Sequence, residues 1–147
     1  MALNRKILQT NLQIVELEEN SYHLMINAKV SGIAIKCILD TGASHSCIDK
    51  TFAIESLSDL QLSENKGVNA GIGGSDFEVF ATDVENFKIG RYAPFYLQNI
   101  AVIDLSNINQ AYRTLKLEPI QMILGGDFFV EHSAVIDYGL KKLSFLR

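Results

Sequence analysis

Tyr22, Leu24, Ile26, Ala28 and Val30 alternate with His23, Met25, Asn27 and Lys29, the period of two that marks a half-buried strand. Ser31-Gly32 makes a tight turn, and Ile33 to Leu39 follows as a second, more completely apolar strand. The pair reads as a hairpin that delivers Asp40 to a loop at a strand end. Cys47-Ile48 resumes an extended segment, and Asp49 stands where an N-cap would open a short helix over Lys50 to Ser56, with Phe52 and Ala53 facing inward. Val68 to Phe80 places Gly71, Gly73 and Gly74 between two strand-like arms, of which Phe77 to Phe87 is the long return. Phe95 to Leu105 reads as a further strand. Ser106 is expected to cap a second helix reaching Leu115, because Ile108, Ala111, Tyr112 and Leu115 are spaced for one face, and Pro119 stops it. Gln121 to Leu124 is then a buried strand, Asp127 to His132 about one helical turn, and Ala134 to Ile136 a strand. Tyr138-Gly139-Leu140 turns the chain into Leu143-Ser144-Phe145, which closes it.

The pattern predicts a mostly β chain with two or three short helices. No internal repeat, low-complexity tract or linker-like stretch divides it, so residues 1–147 are read as a single domain with its core over roughly 22–146. That length suffices to bury a core without staples. Composition changes the picture only by exclusion. With 48% hydrophobic and 20% charged residues, no tryptophan and two prolines, it is an ordinary globular balance. A net charge of −4 with scattered basic residues gives no nucleic-acid footprint. No segment approaches the ~20 apolar residues of a membrane span. The start of the chain soon runs into Glu16, Glu18 and Glu19 and lacks a signal-peptide apolar region, so a cytoplasmic location is expected. Cys37 and Cys47 have no metal-type spacing and read as buried small hydrophobes in a reducing compartment.

Candidate chemistry centres on Asp40-Thr41-Gly42-Ala43-Ser44, which follows Cys37-Ile38-Leu39. By itself such a turn after a strand is ordinary, since Asp and Gly are common turn residues. Its setting, a hairpin followed by an apolar run, is less so. Leu-Asp-Thr-Gly-Ala-Ser resembles the catalytic loop of aspartic proteases, and the sequence holds no second Asp-Thr-Gly or Asp-Ser-Gly. The chain therefore resembles the single-domain retropepsin-like family, of a cellular or bacterial type, in which one such loop is contributed by each of two chains. Ile123-Leu124-Gly125, leading into Gly126-Asp127-Phe128-Phe129, resembles the family's second signature. In that fold the strand packs against the catalytic loop and its glycine permits close backbone approach. Ala70-Gly71-Ile72-Gly73-Gly74-Ser75 stands where the family carries its flap, a hairpin that closes over substrate. It is not a phosphate loop: the Lys and Ser/Thr of a Walker motif are missing. The closing segment Ala134 to Phe145 also resembles that family's last hairpin.

The resemblance implies a closed or partly open retropepsin-like β-barrel with a flap hairpin. It implies an aspartic endopeptidase acting as a homodimer on a polypeptide substrate, without cofactor or metal. Asp40, Thr41 and Gly42 are the implied catalytic residues; Ala43, Gly71, Ile72, Gly73 and Gly74 would contact substrate; Ile123, Leu124 and Gly125 form the structural motif. The alternative is a catalytically silent module that keeps the fold to dimerise or to hold a peptide. Asp137 precedes Tyr138-Gly139 rather than Thr-Gly and is read as a turn former. His45 is read as a surface or subsite residue, in preference to a metal site with Asp40 and Asp49. Two departures from the viral form stand out: extra residues before Tyr22, and a helical insertion at Ser106 to Leu115.

Overall fold

The computed structural model describes residues 5–64 and 79–147. They form eleven strands and three helices. In chain order these are β1 (Ile7–Asn11), β2 (Gln13–Glu18), β3 (Ser21–Val30), β4 (Ile33–Leu39), β5 (Cys47–Asp49), α1 (Lys50–Ser56), β6 (Ser63–Glu64), β7 (Phe80–Lys88), β8 (Phe95–Ile103), α2 (Ser106–Thr114), β9 (Met122–Leu124), α3 (Gly126–Glu131), β10 (Val135–Asp137) and β11 (Lys142–Leu146). The predicted hairpin is β3–β4, paired from Val30↔Ile33 to Leu24↔Leu39. Its turn has φ of 48° at Ser31 and 81° at Gly32, the doubly left-handed geometry that matches strand twist in two-residue hairpins and suits glycine.

Eight strands run in the order β2-β3-β4-β9-β5-β8-β7-β6. A further short pairing, Lys29↔Lys88 and Val30↔Phe87, joins β3 to β7 and brings the two ends of this run together as a partly open barrel. Between β4 and β5 lies β9, parallel to β4 (Leu39↔Leu124) and antiparallel to β5 (Cys47↔Ile123). Residues 40–46, which connect β4 to β5, must therefore arch over the end of β9. A second sheet, β1-β11-β10, ties the first described strand to the last through Ile7↔Leu146 to Asn11↔Lys142.

Two cores follow from the two faces. Inside the barrel, Ile26, Val30, Phe87, Ile89, Met122, Leu124 and Leu143 are fully buried. Phe128 packs edge-on against Phe87 (centroids 6.3 Å apart, 81°) and against Phe95 (6.3 Å, 70°), which fixes α3 to the barrel. Outside it, α2 covers Met25, Ile38, Cys47 and Ala101 with Tyr112. This cover explains one difference from the sequence expectation: β3 is half-buried only beyond Ile26, because Met25 packs into the outer core while Tyr22 is exposed. Leu8 and Leu12, ahead of the expected start of the core, join the inner cluster.

The helix caps divide. Asp49 caps α1 as expected, its Oδ2 accepting from Phe52 N–H at 3.0 Å. Ser106 does not cap α2; it is the first helical residue, and its N–H donates to Asp104 Oδ1 at 2.9 Å. Leu115 ends outside the buried face, exposed beyond the last helical turn. Among the described residues no helix is long and apolar enough to cross a membrane.

Candidate active site

Asp40 leaves β4 one residue past Leu39 and remains tied to β9, its N–H donating to Leu124 O at 3.0 Å. Its carboxylate is exposed and turns back on the loop: Gly42 N–H donates to Asp40 Oδ1 at 3.0 Å, and Ala43 N–H donates to Asp40 O at 3.1 Å. This is the side-chain-to-backbone turn that Asp favours at position i. Thr41 and Gly42 are exposed beside it, and Ala43 is half-buried.

The loop's far arm is stitched to the chain after β9. Gly126 N–H donates to Ala43 O at 2.7 Å, and Asp127 N–H donates to Ser44 O at 3.2 Å. Gly125 lies under the loop so closely that a Cβ there would sit 2.7 Å from Ala43 O and 2.9 Å from His45 C and O. In the apolar-apolar-Gly segment Leu124 is fully buried, Ile123 partly, and Gly125 lies against the loop.

Sequence reasoning missed two residues of this junction. Ser46, 1% exposed, receives the Asp127 carboxylate from the first turn of α3. Ser46 N–H donates to both Asp127 oxygens, at 3.0 and 2.9 Å, and Ser46 Oγ–H donates to Oδ1 at 2.7 Å. Ser46 Oγ in turn accepts from Gly125 N–H at 2.9 Å. A single charge-assisted network therefore fixes the loop's second arm, the glycine beneath it and the helix held by Phe128. Ser46 stands between His45 and Cys47, and nothing in that local pattern marks it as a buried partner.

Other candidates are placed elsewhere. Gly71, Ile72, Gly73 and Gly74 lie outside the described residues. Asp49 uses both oxygens internally, on Phe52 N–H and on Leu105 N–H at 3.0 Å, so it cannot turn toward Asp40. His45 Nδ1 lies 3.0 Å from Ser44 Oγ. Among the described residues no group of three His, Cys, Asp or Glu converges as a metal site. Asp137 forms a turn, accepting from Leu140 N–H at 2.8 Å. Cys37 and Cys47 are both free and buried. Burial pushes the Cys37 thiol far above its usual range; it also raises Cys47, to about 12, with the charges of Asp127, Asp40 and Asp49 adding to the shift.

An Asp-Thr-Gly loop anchored in this way over an apolar-apolar-Gly strand is matched by a family model described as aspartyl protease, over residues 26–128. The chain belongs to the aspartyl protease family. Among solved structures it is similar to a retropepsin-like aspartic protease from Rickettsia conorii, at 17% identity and a TM-score of 0.55, with 99% of this chain and 96% of that one covered. It is also similar, at 18% identity and a TM-score of 0.49, to the retroviral protease-like domain of Ddi1 from Leishmania major, with 85% of this chain and 94% of that one covered. No curated protein matches the chain. The retropepsin-like fold expected from the motif order is therefore the fold found.

Proposed function

We propose that this aspartyl protease is an endopeptidase whose active form is a homodimer, with Asp40 of each chain facing the other across a polypeptide substrate. The observation that carries the reading is the Asp40 loop: an exposed carboxylate on a glycine turn, held from below by Leu124, Gly125 and the Ser46–Asp127 network. Two carboxylates about 3 Å apart cannot both ionise, and the aspartic-protease dyad is the standard instance of that effect. One Asp40 takes a proton from the water that attacks the scissile carbonyl; the other donates to the carbonyl oxygen, and the roles reverse as the amine leaves. Thr41 stands beside Asp40 to hydrogen-bond the opposing loop, and Ala43 with the segment Gly71-Ile72-Gly73-Gly74 would contact substrate. Residues 1–147 act as one domain in this reading.

Support for the second chain comes from the single Asp-Thr-Gly and from the terminal sheet. Its outer strands β1 and β10 have open edges among the described residues and carry exposed Ile7 (68%) and Val135 (59%). The test is cleavage of a diverse peptide library at acidic to neutral pH by the parent and by Asp40→Asn. The expected result is cleavage by the parent alone. Equal cleavage by both proteins would overturn the reading, and intact peptide retained by the parent would favour the silent peptide-binding module.

A further inference from the structure

Away from the Asp40 loop, the outer face where β3 meets β4 and β7 opens into a cavity of about 630 Å³. Lys29, Lys36 and Lys88 line it, with Asn27 and Glu118. Ala34 and Pro119, both exposed, add apolar surface beside them. We propose that this cavity is a docking site for an acidic stretch of polypeptide, whose carboxylates sit between Lys29 and Lys88.

Register and charge mark the site. Lys29 and Lys88 are directly opposed across the β3–β7 pairing. Like charges so placed, with Cβ atoms about 5 Å apart, destabilise a sheet. Neither lysine has an acidic partner among the described residues. The one acid on the rim, Glu118, is taken up by Lys36: its Oε2 lies 3.4 Å from Lys36 Nζ, which also donates to Asn27 Oδ1 at 3.2 Å. Three cations against one carboxylate leave the cavity positive on a chain whose net charge is −4. An anion bridging Lys29 and Lys88 removes the repulsion that the fold itself leaves uncompensated.

Size and lining select the occupant. A volume within the ~300–1,000 Å³ of typical ligand sites is far more than one small anion fills, and the exposed apolar surface of Ala34 and Pro119 suits the aliphatic stems and backbone of a peptide. Lys36 precedes Asp40 by four residues on β4, about 13 Å along an extended strand, so a segment docked here is held close to the Asp40 loop. The proposal concerns binding alone and stands or falls independently of cleavage.

The experiment uses the full chain carrying Asp40→Asn, which prevents turnover, with fluorescent tetraglutamate and tetraglutamine peptides as probes. The glutamate peptide is expected to bind, to weaken as salt is raised, and to outbind the glutamine peptide. Lys29→Glu is expected to weaken the glutamate peptide about tenfold or more. The same substitution should hold or raise Tm, because the new carboxylate faces Lys88 directly. Lys88→Gln, which removes charge without reversing it, should weaken binding in the same direction. Equal binding of the two peptides, or unchanged affinity in both variants, would overturn the proposal. Complete displacement of the glutamate peptide by an equimolar amount of inorganic phosphate would assign the cavity to small anions and overturn the polypeptide occupant.

Discussion

Gly125 carries the tightest constraint in the candidate site, because every atom a new Cβ would meet is backbone: Ala43 O, His45 C and His45 O. Backbone cannot swing aside as a side chain can, so the Asp40 loop itself must lift. Gly125→Ala is expected to cost about 2 kcal/mol or more in urea unfolding, at the level of overpacked cores, and to abolish cleavage. Ser46 is the complementary case. Ser46→Ala removes the hydroxyl that donates to Asp127 and accepts from Gly125 N–H, leaving a buried N–H unpaired. The expected cost is about 1–3 kcal/mol, with slower cleavage; unchanged stability would mean the network is dispensable. Gly125 was legible only because Ile123-Leu124-Gly125 resembles the family's second signature; the backbone that demands a glycine there, Ala43 and His45, is far away in sequence. Ser46 and Asp127 were not, since the pairing joins residues 81 positions apart and neither type is rare in loops.

At the level of elements, β4, β5 and β9 hold the loop, and two of them carry buried thiols. Burial raises the thiols of Cys37 and Cys47 and, to about 12, the phenol of Tyr112 on α2. The sign follows from linkage. The unfolded chain releases these protons first, from the ordinary values of 9.0 and 10.0, so each group's contribution is intact below its unfolded value and is lost as pH climbs toward the folded one. Tm should hold up to about pH 9 and fall steadily above it; a flat profile to about pH 11 would contradict this account of the core. The apolar run of β4 and the Asp49 cap were readable because each is decided within a few residues. Ser106 is not the cap of α2: the cap position falls on Leu105, and Asp104, a capping type two residues earlier, takes the Ser106 N–H instead. Strand β1 has its partner, β11, at the other end of the chain, whereas β2 pairs with the adjacent β3 as a hairpin from Glu18↔Ser21 to Gln13↔Met25.

The whole molecule is a retropepsin-like aspartyl protease whose motif order was legible through its resemblance to that family; Asp40 and Gly125 each lie at a strand end, after β4 and β9, which pair side by side. The joining of β1 to the closing hairpin and the lysines opposed across β3 and β7 could not be read in advance, since both arise from strands far apart in sequence. The central claim is that one active site is built from two copies of Asp40. The direct measurement is cleavage by a fixed amount of parent enzyme as Asp40→Asn chain is added and allowed to exchange. Shared dyads predict that excess variant draws the parent into dead mixed dimers, so that cleavage falls toward zero. Cleavage that stays constant at every excess of the variant would contradict a site shared between two chains.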